Sequence, residues 1–217
     1  LFMINSLAQV LLKIASPGVP DIYQGTELWD LTLVDPDNRR PVDFGLRAAW
    51  LRELEAVLDE SGAEADRAAA VRDLLQHWED GRVKLYFTAA GLRLRRRCAE
   101  VFLDGTDRRP AAIGSRGAQV GPIGRDHRRQ RDIVIAPRLV AGLYGFHGAV
   151  AAGEDAWGDT MLTVPAGCEG ARYTNILTGA RVEAHEIDGR RTLAVASALG
   201  PVPASILFAE RLEESRQ

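Results

Sequence analysis

The spacing of apolar residues changes once along this chain of 217 residues, at about Gly105. Before this point apolar residues recur every three or four positions, which is the pattern of amphipathic helices. That spacing predicts a helix at residues 1–15, a second from Leu46 to Ser61-Gly62, and a third from Ala68 that Asp80-Gly81 stops. After this point short apolar runs alternate with turn residues, a pattern that favours antiparallel strands. We therefore predict an α+β chain with a mostly helical segment, 1–104, and an antiparallel β-domain, 105–217.

Residues 82–102 fit two descriptions. The spacing of Val83, Tyr86 and Phe87 fits a helix, whereas the alternation in Leu92-Arg93-Leu94-Arg95 fits a strand. Both interpretations stay open. In the β-domain the apolar runs predict strands at residues 133–135, 139–146, 161–164, 172–177, 182–187, 192–196 and 205–208. The arginine-rich stretch 107–131 is where we expect the least regular structure.

The composition excludes several classes of protein. Hydrophobic residues make up 46% of the chain and charged residues 26%, the balance of a soluble protein that buries a core. The net charge of -3 argues against nucleic acid and anionic membrane as partners of the whole chain. Residues 1–15 lack the features of a secretory leader, and the most apolar run, 193–209, is broken by Gly200 and Pro201. We expect a cytoplasmic protein without a membrane partner, in which this run forms two buried strands joined by a turn.

The metal-binding residue types are scattered. Cys98 and Cys168 have neither a CxxC partner nor a nearby histidine, so we expect two reduced cysteines. The histidines lack the spacing of a metal site; they are His77, His127, His147 and His185. The sequence therefore predicts no metal centre and no cofactor.

A short apolar run at residues 19–23 lies between Gly18 and Gly25 and predicts one buried strand. A polar loop follows it to about Phe44. A helix, a buried strand and a polar loop are typical of an α/β unit, which binds ligands at the carboxyl ends of its strands. The Asp, Asn, Arg and Gln side chains of this loop suit sugar hydroxyls, and Tyr23 and Trp29 would supply apolar faces for a pyranose ring.

Two consecutive segments carry a family resemblance. Gly18-Val19-Pro20-Asp21-Ile22-Tyr23-Gln24-Gly25-Thr26-Glu27 resembles the eighth barrel strand of the α-amylase superfamily, whose pattern is Gly-x-Pro-x-Ile-Tyr-x-Gly-x-Glu. The block Asp35-Pro36-Asp37-Asn38-Arg39-Arg40-Pro41-Val42-Asp43 narrows the resemblance to the maltooligosyl trehalose synthase family. Shorter pieces agree, namely Lys84-Leu85-Tyr86, Ala136-Pro137-Arg138-Leu139 and Trp157-Gly158-Asp159-Thr160. The resemblance covers essentially the whole chain but only the C-terminal portion of the family.

This resemblance implies the end of a (β/α)8 barrel, namely its last strand plus helices, followed by an antiparallel β-sandwich-like domain. It implies an isomerase that converts the reducing-end α-1,4 bond of a maltooligosaccharide into an α,α-1,1 bond by intramolecular transglucosylation with retention. Retaining transfer needs two carboxyl groups about 5–5.5 Å apart. In the family these come from barrel strands that precede the segment matched here. The resemblance therefore implies no catalytic residue in this chain and an inactive fragment.

The loop chemistry and the resemblance together predict a set of substrate contacts. They are Tyr23, Gln24, Glu27, Asp37, Asn38, Arg39 and Arg40. A competing interpretation is that the loop acids, Asp35, Asp37 and Asp43, pair with Arg39 and Arg40 and fix the loop. In that interpretation Glu27 braces the loop, and the aromatic residues are packing residues.

Other functions stay open at this stage. The β-domain, 105–217, could be a non-catalytic carbohydrate-binding or assembly module. The arginines of 93–97 and 125–131 could bind nucleic acid, although a solvated face or pairing with acids elsewhere is the favoured interpretation. The expected partner is a maltooligosaccharide, bound through the full-length barrel. A lone barrel strand has unpaired edges, so we expect that the fragment self-associates or that its first segment packs in a non-barrel way.

Overall fold

The computed structural model describes residues 1–59, 62–128, 130–144, 153–164 and 172–210. Its helices are α1 (Phe2–Ala15), α2 (Phe44–Leu58), α3 (Glu64–Gln76), α4 (Arg82–Arg97), α5 (Ala99–Leu103), α6 (Val140–Tyr144), α7 (Glu154–Trp157) and α8 (Val195–Leu199). Its strands are β1 (Thr106–Arg108), β2 (Ala112–Ile113), β3 (Val120–His127), β4 (Gln130–Pro137), β5 (Met161–Thr163), β6 (Arg172–Asn175), β7 (Arg181–Val182), β8 (His185–Ile187), β9 (Arg190–Ala194) and β10 (Ser205–Glu210). Helices and antiparallel sheets are combined, which confirms the α+β class.

The strands form two antiparallel sheets. The larger has the order β1-β3-β4-β10-β6-β7, and the smaller has the order β2-β5-β9-β8. Strands β4 and β10 are the centre of the larger sheet, where Ile133 pairs with Leu207 and Ile135 pairs with Ser205. Every residue of β4 after Gln130 is buried, because elements of the chain cover it on both faces.

Helix α1 packs into this centre. Its apolar stripe repeats at helical spacing and is buried, with Leu7, Leu11 and Ile14 at 0% exposure. The helix contacts both α4 and β4, so its stripe is covered by a helix on one side and by the larger sheet on the other. Gly91 of α4 permits this close approach, because a Cβ there would lie only 3.1 Å from Cδ1 of Ile14.

The ambiguous segment 82–102 is helical. Its apolar residues Tyr86, Phe87 and Leu94 all lie on the buried side of α4, where they contribute to the core. The hydroxyl of Tyr86 donates a hydrogen bond to the carbonyl oxygen of Leu177, which ties α4 to the β-domain. Packing against α1 therefore stabilises a helix here, although the local alternation of residues favoured a strand.

Three expectations in the β-domain are wrong. The stretch 107–131 contains β1, β2 and β3. Strand β3 forms there because its backbone pairs with strands on both sides and does not depend on apolar side chains. Residues 140–144 of the predicted strand 139–146 form α6; Leu139 has a positive φ of 52° and turns the chain out of the sheet. The run 193–209 contains α8 between its two strands. Residues 145 and 146 lie outside the described residues.

The predicted buried strand at residues 19–23 is also wrong. This segment has no strand structure, and Val19 is 91% exposed. A parallel barrel strand takes its hydrogen bonds from neighbouring strands on both sides. Within the described ranges no strand lies beside it, and the apolar stripe of α1 is covered by α4 and β4 instead. Self-association of the chain stays a prediction.

The structure also bears on membrane and metal binding. None of the helices in the described ranges combines the length and the apolar character needed to cross a membrane. Among the same residues there is no group of three or more His, Cys, Asp and Glu side chains that could hold a metal ion. Cys98 is a buried cysteine between α4 and α5 that forms no disulfide, whereas Cys168 lies outside the described residues.

Candidate functional site

A cavity of about 520 Å³ lies between α1, the loop after residue 22 and the start of α4. Helix α1 contributes the polar residues that its apolar stripe leaves uncovered, namely Asn5, Ser6 and Gln9. The loop contributes Tyr23, Thr26, Asp30, Thr32, Leu33, Val34 and Asn38, and α4 contributes Lys84. The cavity is therefore lined by both hydrogen-bonding groups and apolar surface, with Phe2 and Tyr23 as aromatic surfaces.

One arginine of α2 holds the beginning of the loop. Arg47 donates from Nε to a carboxylate oxygen of Glu27 at 3.2 Å, and from Nη2 to the carbonyl oxygen of Gly25 at 3.0 Å. A third hydrogen bond, from Nη1, reaches the carbonyl oxygen of Asp43 at 3.1 Å. Glu27 thus braces the loop. Sequence reasoning missed Arg47, because its partner carboxylate lies 20 positions away and no local pattern marks the pair.

We expect Arg47→Met to loosen the start of this loop. The variant removes three hydrogen bonds donated by a charged guanidinium, one of them to a carboxylate, which together stabilise the loop locally by about 2 kcal/mol. The amide of Thr26, which donates to the carbonyl oxygen of Tyr23, should then exchange its hydrogen roughly 30-fold faster. Native-state hydrogen exchange measures this, with Arg52→Met at an exposed position of the same helix as the control. Equal exchange in both variants would show that Arg47 is not the brace.

The block of residues 35–43 is fixed by its own charges. Arg39 donates to Asp35 at 2.9 Å, and Arg40 forms an ion pair with Asp37. Asp37 also accepts a hydrogen bond from the backbone N–H of Leu33 at 2.8 Å, and this bond, with that from Arg40, lowers the pKa of its carboxyl group. These contacts support the interpretation that the acids of the block fix the loop.

Asp43 has a separate structural role. Its carboxylate accepts a hydrogen bond from the backbone N–H of Leu46 at 2.8 Å and so caps the N-terminus of α2. The cap begins the helix that carries Arg47. The last acid of the block therefore positions the arginine that braces the first part of the loop.

The structure separates the predicted contacts into groups. Tyr23 and Asn38 line the cavity, and the side-chain oxygen of Asn38 is buried without a hydrogen-bond partner among the described residues. Glu27 and Asp37 are engaged in bracing contacts. The remaining residues, Gln24, Arg39 and Arg40, are exposed and do not line the cavity.

Trp29 is a packing residue. Its indole N–H donates to the carbonyl oxygen of Trp78, and its ring makes edge contacts with Phe2 and Trp78 at centroid distances of 5.6 and 6.2 Å. Tyr23, by contrast, remains 42% exposed beside the cavity. Of the two aromatic residues proposed from sequence as sugar surfaces, only Tyr23 is thus placed to contact a ligand there.

Lys84 and Asp30 bring opposite charges to the cavity. The ammonium of Lys84 donates to the carbonyl oxygen of Leu28 at 3.0 Å, and burial lowers the pKa of this lysine, helped by the nearby charge of Lys13. Hydrogen bonds from Thr32 lower the pKa of Asp30. Asp30 is the one carboxylate among the described lining residues, so the cavity does not contain the carboxylate pair of a retaining enzyme.

The chain matches known proteins over most of its length. No protein-family model matches it. A protein of Mycobacterium tuberculosis whose name assigns it to maltooligosyl trehalose synthase is 36% identical over 182 residues, which is 83% of this chain and 18% of that protein. The solved structure of maltooligosyltrehalose synthase from Arthrobacter ramosus is 30% identical, with a TM-score of 0.66, over 95% of this chain and 22% of that one.

A more distant neighbour shows the fold alone. An α-amylase from Anoxybacillus is 15% identical and has a TM-score of 0.51. The chain spans about a fifth of the length of the relatives it matches, from 18% to 22%. The family resemblance is confirmed by these matches, and the chain belongs to the maltooligosyl trehalose synthase family.

Proposed function

We propose that this chain is the C-terminal part of an enzyme of trehalose biosynthesis. The enzyme converts the reducing-end α-1,4 glucosidic bond of maltooligosaccharides into an α,α-1,1 bond by intramolecular transglucosylation. The family match over 83% of the chain is the observation that carries this proposal. In the whole, cytoplasmic protein, residues 1–104 complete a (β/α)8 barrel, and residues 105–217 form a β-sandwich-like domain that supports it.

The chemistry divides between this chain and the rest of the protein. A retaining enzyme breaks the α-1,4 bond with a carboxylate nucleophile and a carboxylic acid about 5–5.5 Å apart, and then transfers the glycosyl group to the anomeric hydroxyl of the released glucose. The proposal places both carboxyl groups outside this chain. Residues of this chain bind and orient the sugar, with the ring of Tyr23 as an apolar surface and Asn38 as a hydrogen-bonding group.

We expect the full reading frame that contains this chain to convert maltopentaose into a non-reducing product. Residues 1–217 alone should convert none, because the catalytic carboxyl groups are proposed to lie elsewhere. Loss of reducing ends and the anomeric proton signals measure the conversion, since hydrolysis would instead increase the number of reducing ends. Conversion by residues 1–217 alone would place catalytic residues inside this chain. A full reading frame that leaves maltopentaose unchanged would refute the proposed activity.

No observation favours the two other functions considered from sequence. In the described part of 105–217, Trp157 and Tyr173 are each 1% exposed and Phe208 is half-buried, which leaves little aromatic surface for a sugar-binding module. Several of these arginines are engaged within the protein, among them Arg93, which pairs with Glu55. Arg125 donates to the carbonyl oxygens of Val101 and Gly105, at 2.9 and 2.6 Å, rather than facing a nucleic acid.

A further inference from the structure

We propose that Lys84 and Asp30 bind two neighbouring hydroxyl groups of a glucose unit in the cavity. The ammonium of Lys84 donates to one hydroxyl oxygen, and the carboxylate of Asp30 accepts from the next hydroxyl group. The inference rests on the proposed function, because it takes a maltooligosaccharide as the ligand. It adds to that function two contact residues that the loop block does not contain.

The position of Lys84 leaves part of its donor capacity for a ligand. An ammonium has three N–H donors. Within the described part of the chain one acceptor is assigned to it, the carbonyl oxygen of Leu28 at 3.0 Å. The same ammonium lies 5.7 Å from the ring centroid of Trp29 and lines the cavity. Because Lys84 lines the cavity, its remaining donors can bind a ligand there.

Asp30 offers the complementary acceptor. It lines the same cavity, and the backbone N–H of Thr32 donates to one of its oxygens at 2.9 Å, which fixes the carboxylate. Asp30 and Lys84 attract each other electrostatically, but no direct ion pair joins them. Each hydroxyl group of a pyranose can donate and accept, so a donor and an acceptor that line one cavity without pairing are complementary to this ligand.

The second lysine of the chain provides a matched comparison. Only Lys13 and Lys84 are lysines in a chain whose other basic residues are arginine. Lys13 also donates to a backbone carbonyl of the loop, that of Asp21, at 2.9 Å, but it does not line the cavity. Both lysines thus anchor the loop through one hydrogen bond, and only Lys84 is placed to contact a ligand.

The test compares Lys84→Met, Asp30→Asn and Lys13→Met in the full reading frame. Binding of maltopentaose is measured by tryptophan fluorescence or calorimetry, and conversion is measured separately as kcat and KM. Lys84→Met and Asp30→Asn should each weaken binding by about 10- to 100-fold, the effect of losing a charge-assisted hydrogen bond. Lys13→Met should stay within about twofold of the parent. Each lysine variant loses one bond to the loop, and Lys84→Met also loses the contact with Trp29, so the melting temperature of both is recorded beside their binding.

The outcomes separate this inference from the proposed function. Equal weakening by Lys84→Met and Lys13→Met would show that Lys84 only anchors the loop, and this would overturn the inference. Unchanged binding by Lys84→Met or Asp30→Asn would also overturn it. A parent protein that binds maltopentaose without converting it would refute the proposed activity and leave the binding pair testable. A parent that does not bind maltopentaose would overturn both.

Discussion

As the pH rises from about 4 to about 8, the parent chain is expected to lose stability because of Asp132. The variant Asp132→Asn should not show this loss. Asp132 lies in β4 and is 1% exposed, and neither carboxylate oxygen has a hydrogen-bond partner among the described residues. Burial raises the pKa of this carboxyl group to about 8; the charge of Arg125 opposes the rise and that of Asp126 adds to it. Arg95 opposes it to a smaller extent.

The direction of the effect follows from proton binding. Between the ordinary pKa of 3.8 and the raised value of about 8, the folded chain keeps a proton on Asp132 that the unfolded chain releases. The free energy of unfolding contributed by this group therefore falls by roughly 1.4 kcal/mol per pH unit across that window and is constant above it. Asparagine carries no charge, so the variant lacks this slope.

Urea unfolding at several pH values between about 5 and 8 measures the difference between parent and variant. Taking the difference cancels the contributions of the other titrating groups, which both proteins share. Asp104→Asn, at an exposed position near the end of α5, is the control and should retain the slope of the parent. Parallel stability curves for Asp132→Asn and the parent would contradict the assignment of a raised pKa to Asp132.

Gly105→Ala should be among the most destabilising single changes in the chain. Gly105 joins α5 to β1, and a Cβ there would collide with the carbonyl oxygen of Val101 and lie 3.2 Å from that of Asp126. Both obstacles are backbone atoms, and Arg125 holds the carbonyl oxygens of Val101 and Gly105 in place. Because no side chain can rotate away, we expect a loss of about 2–4 kcal/mol in the free energy of unfolding.

Gly121→Ala is the matched control for this change. A Cβ on Gly121 in β3 would meet the carbonyl oxygen of Ala136 at 3.5 Å, an ordinary contact, so its effect should stay within about 1 kcal/mol. Urea unfolding of the two variants under the same conditions gives the comparison. Similar losses for both would show that the junction at Gly105 can relax, contrary to the expectation.

Helices and strands whose own residues form a regular apolar pattern could be predicted from the sequence. The apolar stripe of α1 and the apolar run of β4 were readable because each element buries its own periodic residues. Strand β3 was not readable, since its sequence of Gly, Pro and charged residues is held by pairing with β1 and β4. The strand prediction for residues 19–23 was wrong for the converse reason: its apolar run suggests a strand, but a strand needs neighbouring strands to pair with.

The candidate site shows the same division. The block 35–43 indicated the family, and its acid–arginine pairs were predicted because the partners lie three or four positions apart. Arg47 and Lys84 were not predicted, because they contact the loop across 20 and 56 positions. Contacts of that separation depend on how α2 and α4 pack, which no short motif encodes. Sequence patterns therefore identified the loop, and the fold supplied the residues that surround it.

The placement of α1 between α4 and β4 has a consequence for how such a chain can be divided. A gene segment encoding only residues 105–217 would produce a sheet whose central strand has lost the helix that covers it. The hydroxyl of Tyr86 would likewise no longer reach Leu177. Recombination at the apparent boundary between the helical and β portions would therefore expose buried apolar surface on both pieces.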